Sequence, residues 1–171
     1  MSAHLQLSMV LSIIGFGLHD FMNYAVLNWL NIQIDPLQLV ADHKARTQQV
    51  QGHSIISLPL LISQPPINDR THGDPHYFVL PHKNSTITGA FVYPPGGGQG
   101  WHTNSNLPGI RVYAAWSENG NSGMVFYENG EIRVDRDKPG WNVRAFKVPC
   151  WHAVWAECWR ISIGFNVAGD K

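Results

Sequence analysis

The chain has 171 residues, and its twelve Lys and Arg balance twelve Asp and Glu to a formal net charge of zero. That length bounds it to one domain, or one domain with a short appendage, and the balance excludes a nucleic-acid-binding tail or a basic membrane patch. Charged residues are only 14%, against 16 Gly, 11 Pro, 9 His and 7 Trp, a mix that suits a turn-rich β domain better than a helical bundle.

Leu5 to Leu18 is an apolar run ended by His19-Asp20. It is too short for a transmembrane helix. No Lys or Arg precedes it and no small-x-small cleavage site follows, so it does not read as a signal. Residues 1–21 are therefore expected to be a docking segment or an extension upstream of Met22, and 22–171 a single domain. Residues 22–47 carry helix signals: Asp35-Pro36 reads as an N-cap with Pro at the first helical position, and Leu37, Leu39, Val40 and Ala41 as the apolar face. From 48 to 86 the pattern is irregular, a long loop around a short strand at Tyr77 to Leu80. It holds His72, His76 and His82, and is expected to cover the mouth of the domain and set substrate choice.

From Ile87 the pattern turns to strands: "TITGAFVY", which stops at Pro94-Pro95, then "RVYAAW", the hairpin "GMVFYENGEIRV" turning at Asn129-Gly130, "RAFKV" and "WRISIGFNV". Six or seven short strands separated by turns predict a mainly β sandwich or jelly roll over 87–167, with helices N-terminal to it.

Two histidines, His102 after the turn "YPPGGGQG" and His152 in "PCWHAVWAE", lie 50 residues apart. In a jelly roll that separation can bring strands of opposite sheets to one mouth, where two imidazoles suit a first-row transition metal. Each alone reads more simply as a histidine bonded to a backbone carbonyl. Arg160 and Ser162 alternate with apolar Ile161 and Ile163, so both face the same way. A guanidinium turned into a barrel needs an anion. An external carboxylate with Ser162 as a further donor is one solution; an internal ion pair with Glu157 or Asp135 is the other. Cys150 and Cys158 fit no zinc spacing and are too few for a disulfide scaffold. They read as reduced thiols of a cytoplasmic protein.

The ordered segments Tyr93 to Gly98, "GWHTNS" (Gly100 to Ser105), Pro108 to Trp116 and Trp151 to Phe165 resemble the iron(II)- and 2-oxoglutarate-dependent oxygenases, in particular members associated with phages and marine microbes. The resemblance covers residues 87–167. It implies a double-stranded β-helix (a cupin-like jelly roll) that binds Fe(II) and the small-molecule cosubstrate 2-oxoglutarate and hydroxylates a further substrate. His102 and His152 would be iron ligands. Arg160 would pair with the distal carboxylate of 2-oxoglutarate, assisted by Ser162. Tyr113 resembles a position that bonds the same carboxylate, and Arg111 and Tyr93 are further candidates for lining the pocket. Trp101, Trp151, Trp155 and Trp159 would shield the oxidant or simply pack in the core.

The chain departs from the family pattern at Asn104, where two histidines are ordinarily joined by a carboxylate. An amide oxygen is neutral and binds a cation more weakly. Asn104 could ligate through that oxygen, or hold a water or anion in the third position, as in related halogenases. A carboxylate from Glu118, Asp74 or Glu157 could replace it, or the site could have lost its oxygen chemistry. Asn104 also reads as an ordinary turn residue. Two rival functions stand beside the oxygenase: a jelly-roll binding module that keeps a carboxylate pocket at Arg160, and a metal-dependent cupin enzyme, for which the usual His-x-His and following Glu are absent.

Overall fold

A computed structural model describes residues 24–26, 35–46, 56–66, 78–79 and 87–167. Segment 1–21 and His72, His76 and His82 lie outside the described residues. The fold is mainly β, in two antiparallel sheets.

Among the described residues, ten strands and two helices follow in chain order: β1 (Tyr24–Val26), α1 (Pro36–Arg46), α2 (Leu58–Ser63), β2 (Phe78–Val79), β3 (Ile87–Tyr93), β4 (Gly97–His102), β5 (Gly109–Ser117), β6 (Ser122–Glu128), β7 (Glu131–Arg136), β8 (Gly140–Val148), β9 (Trp151–Ala156) and β10 (Arg160–Val167). One sheet has the order β1-β8-β5-β10-β3-β2 and the other β4-β9-β6-β7. Among the described residues no helix is long and apolar enough to cross a membrane.

The sequence anticipated α1 well at its start. The Asp35 carboxylate accepts from the backbone N–H groups of Leu37 and Gln38 at 3.0 and 3.2 Å, satisfying two orphan donors of the first turn. Two expectations fail nearby. Residues 24–26 are not helical but pair antiparallel with β8. Leu37 is 65% exposed and Ala41 is also exposed; of the expected face Val40 is buried, and His43 is buried beside it. The β6–β7 hairpin turns as expected, with Asn129 and Gly130 both at positive φ (54° and 85°), as the tight turn requires.

Packing separates into three regions. Val40 of α1 joins Val112, Ala114, Trp116, Ile161, Ile163 and Phe165 on the outer face of the six-stranded sheet. Ile56, Leu58 and Leu61, in and beside α2, join Trp101, Val125, Ala153 and Trp155 on the outer face of the four-stranded sheet. Between the sheets lie Tyr93, Met124, Phe126, Phe146, Val148 and Val154. Each large apolar side chain fully buried in these clusters contributes on the order of 1.5–3 kcal/mol. The outer clusters leave the space between the sheets able to accept polar groups: Arg111, Asn142, Arg144, His152, Arg160 and Ser162 are all buried.

Candidate metal centre

The two histidines come together, though not as the spacing implied. They lie on adjacent strands of one sheet rather than on opposite sheets: His102 of β4 is the direct cross-strand partner of His152 of β9. Their ring centroids are 4.1 Å apart with planes at 56°. A bulge makes this possible. Gln99 pairs with Val154, yet His102 pairs with His152, so the register slips by one residue between them. A one-residue slip exchanges faces. Uninterrupted alternation from Gln99 would turn Trp101 inward and His102 outward. Instead Trp101 packs under α2, its indole N–H donating to the Leu61 carbonyl at 3.2 Å, and His102 faces inward beside His152.

Both rings are held by the same device. His102 Nδ1 donates to the Gly100 carbonyl and His152 Nδ1 to the Cys150 carbonyl, each at 2.8 Å. A carbonyl only accepts, so each Nδ1 carries a proton, and in the neutral ring Nε2 then presents a lone pair, the form that ligates a metal. Burial, then the neighbouring His102 and Arg111, hold the His152 imidazolium well below the usual histidine range, against a smaller opposing effect of the Cys150 carbonyl. His152 is therefore neutral at physiological pH.

Asn104 fulfils both of its sequence roles. It is a turn residue, at φ 56° with its carbonyl accepting from Leu107 N–H at 3.2 Å, a left-handed conformation that Asn tolerates. Its side chain also reaches the ring pair, with Nδ2 donating to His152 Nε2 at 3.1 Å. Tyr113 borders the same space. Its ring stacks on Phe146 at 5.5 Å, and Phe146 in turn meets His152 edge-on at 5.0 Å. Burial raises the phenol pKa, and Arg111, a hydrogen bond with Asn104, and Arg160 partly oppose this. The phenol stays protonated at neutral pH. Among the described residues no carboxylate replaces Asn104: Glu118 accepts from Trp159 N–H and Glu157 accepts from Asn121; Asp74 lies outside the described residues. Among the described residues no three His, Cys, Asp or Glu side chains stand together as a metal-binding group.

Arg160 is fully buried. It has an internal partner, as one of the two sequence readings held, but the partner is Asp137 rather than Asp135 or Glu157. Arg160 Nε donates to Asp137 Oδ2 at 2.9 Å, and Asp137 Oδ1 lies 2.6 Å from Arg144 Nη1. Arg144 also pairs with Asp135, and Ser122 Oγ donates to Asp137 Oδ2 at 2.6 Å. Burial alone would raise the Asp137 carboxyl, but Arg160, Arg144 and Ser122 outweigh it and hold its pKa below the ordinary value. One anion thus occupies only one edge of the Arg160 guanidinium. Nη1 and Nη2 are buried with no hydrogen-bond partner, and the group stands 5.6 Å from the Tyr93 ring centroid. Ser162, opposite Phe91 and Ala115, is buried on the same face.

Arg111 also faces inward, two residues from Tyr113 on β5 and directly opposite Phe146. The tryptophans do not line this space: Trp101 and Trp155 belong to the cluster under α2 with Trp151 packed against it, and Trp159 packs on the α1 side. Core packing was therefore the right reading of all four. Cys150 and Cys158 are free thiols. Burial, then Glu128, push the Cys150 thiol up to about 12, so it is protonated at neutral pH.

Asp137 is the residue that sequence reasoning missed. Its only signal was a second aspartate in "DRDKPG", two places beyond the one considered. No protein-family model matches the chain, and no curated protein matches it in sequence.

Proposed function

We propose that the chain is an iron(II)- and 2-oxoglutarate-dependent oxygenase of the hydroxylase type, with an atypical His102-x-Asn104…His152 metal site. The observation that carries this reading is the cross-strand histidine pair, each ring held at Nδ1 by a backbone carbonyl so that Nε2 is left as the ligating atom. The sheet orders β8-β5-β10-β3 and β4-β9-β6-β7 support a jelly roll of the double-stranded β-helix kind.

The residues fit the proposed groups. Two neutral imidazoles suit Fe(II), and the Asn104 amide can rotate to offer its oxygen in place of Nδ2. The buried, unmet Nη1 and Nη2 of Arg160 suit a carboxylate, which a guanidinium fork takes bidentately. When bound, the iron supplies oxygen activation coupled to oxidative decarboxylation of the 2-oxoacid. The protein's share is binding and orientation. Arg160 grips the far carboxylate, and Asp137 keeps its fork turned away from the ion pair. Tyr113, protonated, donates a hydrogen bond, while Phe126, Phe146 and Val154 exclude water.

A metal-free binding module is the second reading, favoured by one observation: Asn104 Nδ2 already occupies the His152 Nε2 lone pair. An anaerobic titration with Fe(II) and 2-oxoglutarate separates the two. Chelation at a transition-metal site is expected to give a weak visible band near roughly 500 nm. In Arg160→Ala, 2-oxoglutarate binding should weaken far more than iron binding. Binding of 2-oxoglutarate with no band would select the module, and equal loss of both ligands would make Arg160 structural.

A further inference from the structure

We infer that Arg111 forms a second anion subsite, at the histidine end of the space between the sheets, and that its ligand is a carboxylate of the primary substrate. The oxygenase reading is needed only to call that ligand a substrate.

Among the described residues the charges between the sheets are uneven. Three buried guanidinium groups, Arg111, Arg144 and Arg160, face two carboxylates, Asp135 and Asp137. Both carboxylates are taken: Asp137 lies between Arg144 and Arg160, and Asp135 pairs with Arg144. None of these ion pairs includes Arg111. Its one hydrogen bond runs from Nη2 to the Leu107 carbonyl at 3.1 Å, and its buried Nε has no partner. A guanidinium only 4% exposed and left without an anion is costly. The substitution that makes the metal site unusual adds to this deficit, since Asn104 brings no negative charge where a carboxylate would have brought one.

The position of Arg111 separates it from the Arg160 subsite. Arg160 pairs across the sheet with Ser117, six residues along β5 from Arg111, so the two backbones stand about 20 Å apart. Arg160 serves the deep end. Arg111 is opposite Phe146, which touches His152, and its Nη2 holds the turn that carries Asn104. A carboxylate on its Nε edge would sit beside the ring pair, where a substrate must present its reacting carbon. The class of ligand is thus a small organic acid, taken by a charge-assisted bond.

The test follows arginine Nε–H resonances of the full 15N-labelled chain by NMR, without metal. Acetate, benzoate and N-acetylglycine are titrated alongside their neutral amides. The acids, not the amides, should shift one resonance that Arg111→Gln lacks and Arg160→Gln keeps, and Arg111→Gln should weaken the binding about 10- to 100-fold. The shift should persist with Zn(II) and 2-oxoglutarate at saturation. Its loss there would assign Arg111 to the cosubstrate, and equal response to acids and amides, or to neither, would remove the subsite. Should Arg111→Gln not fold, the acid–amide contrast in the native chain and Arg111→Lys decide the matter. No arm needs iron or turnover, so this inference and the oxygenase reading can fail separately.

Discussion

The proton on each Nδ1 is the smallest feature on which the proposed chemistry depends. Backbone carbonyls at Gly100 and Cys150 select the tautomer, and burial keeps His152 neutral. In the proposed centre Asn104 takes the place where an anionic ligand would cancel part of a metal's charge, and its φ of 56° is one that Asp also tolerates. Asn104→Asp is therefore expected to keep or raise Fe(II) affinity, read by anaerobic calorimetry. Weaker iron binding in that variant would show that position 104 does not face the metal. The residue identities here were legible from the sequence in part: His102, His152, Asn104 and Tyr113 do come together, while Arg160 faces the same interior from the other end of β5. The anion partner of Arg160 was not, because choosing among Asp135, Asp137 and Glu157 requires knowing where β7 ends relative to β10.

At the scale of elements, the two strands that carry the histidines are among those that the sequence hid. "GGQGWH" reads as turn because Gly has low strand propensity, yet Gly98 is held in β4 by close approach: a Cβ there would collide with the Val154 carbonyl and the Ile56 side chain. "WHAVWA" is buried on both faces, so it lacks the alternation that marks a half-exposed strand. Gly98→Ala is accordingly expected to cost about 1–3 kcal/mol, measured as a lowered urea midpoint, with His152 ring resonances displaced because the β4–β9 register is strained. An unchanged midpoint would mean the strands have room to part. The ion cluster joining β7, β8 and β10 has its own signature. Because the folded-state pKa of Asp137 is lowered, its stabilisation is complete above the unfolded value near 3.9 and is lost as pH falls through the folded value. Thermal stability should be flat from pH 7 to about 5 and drop below about 4. Asp137→Asn should lose about 3–5 kcal/mol at pH 7 and flatten the acid limb; an unchanged acid limb would show that other carboxylates set it.

For the whole molecule, the division of labour between faces explains how two small sheets carry a polar interior. Apolar burial on the two outer faces, under α1 and α2, supports the sheets. The interior then mixes Phe126, Phe146 and Val154 with buried arginines and a histidine. Alternation along β10 made this legible in outline, since Arg160 and Ser162 alternate with apolar Ile161 and Ile163. The bulge in β4 that turns His102 inward was not, because it depends on pairing with a strand fifty residues away. The most direct measurement is anomalous diffraction from anaerobic crystals grown with Mn(II) and 2-oxoglutarate. One metal peak is expected, bonded at about 2.1 Å to Nε2 of both His102 and His152, with the far carboxylate of the 2-oxoacid on Arg160. A peak on one ring alone, or none between the rings, would contradict a shared metal centre.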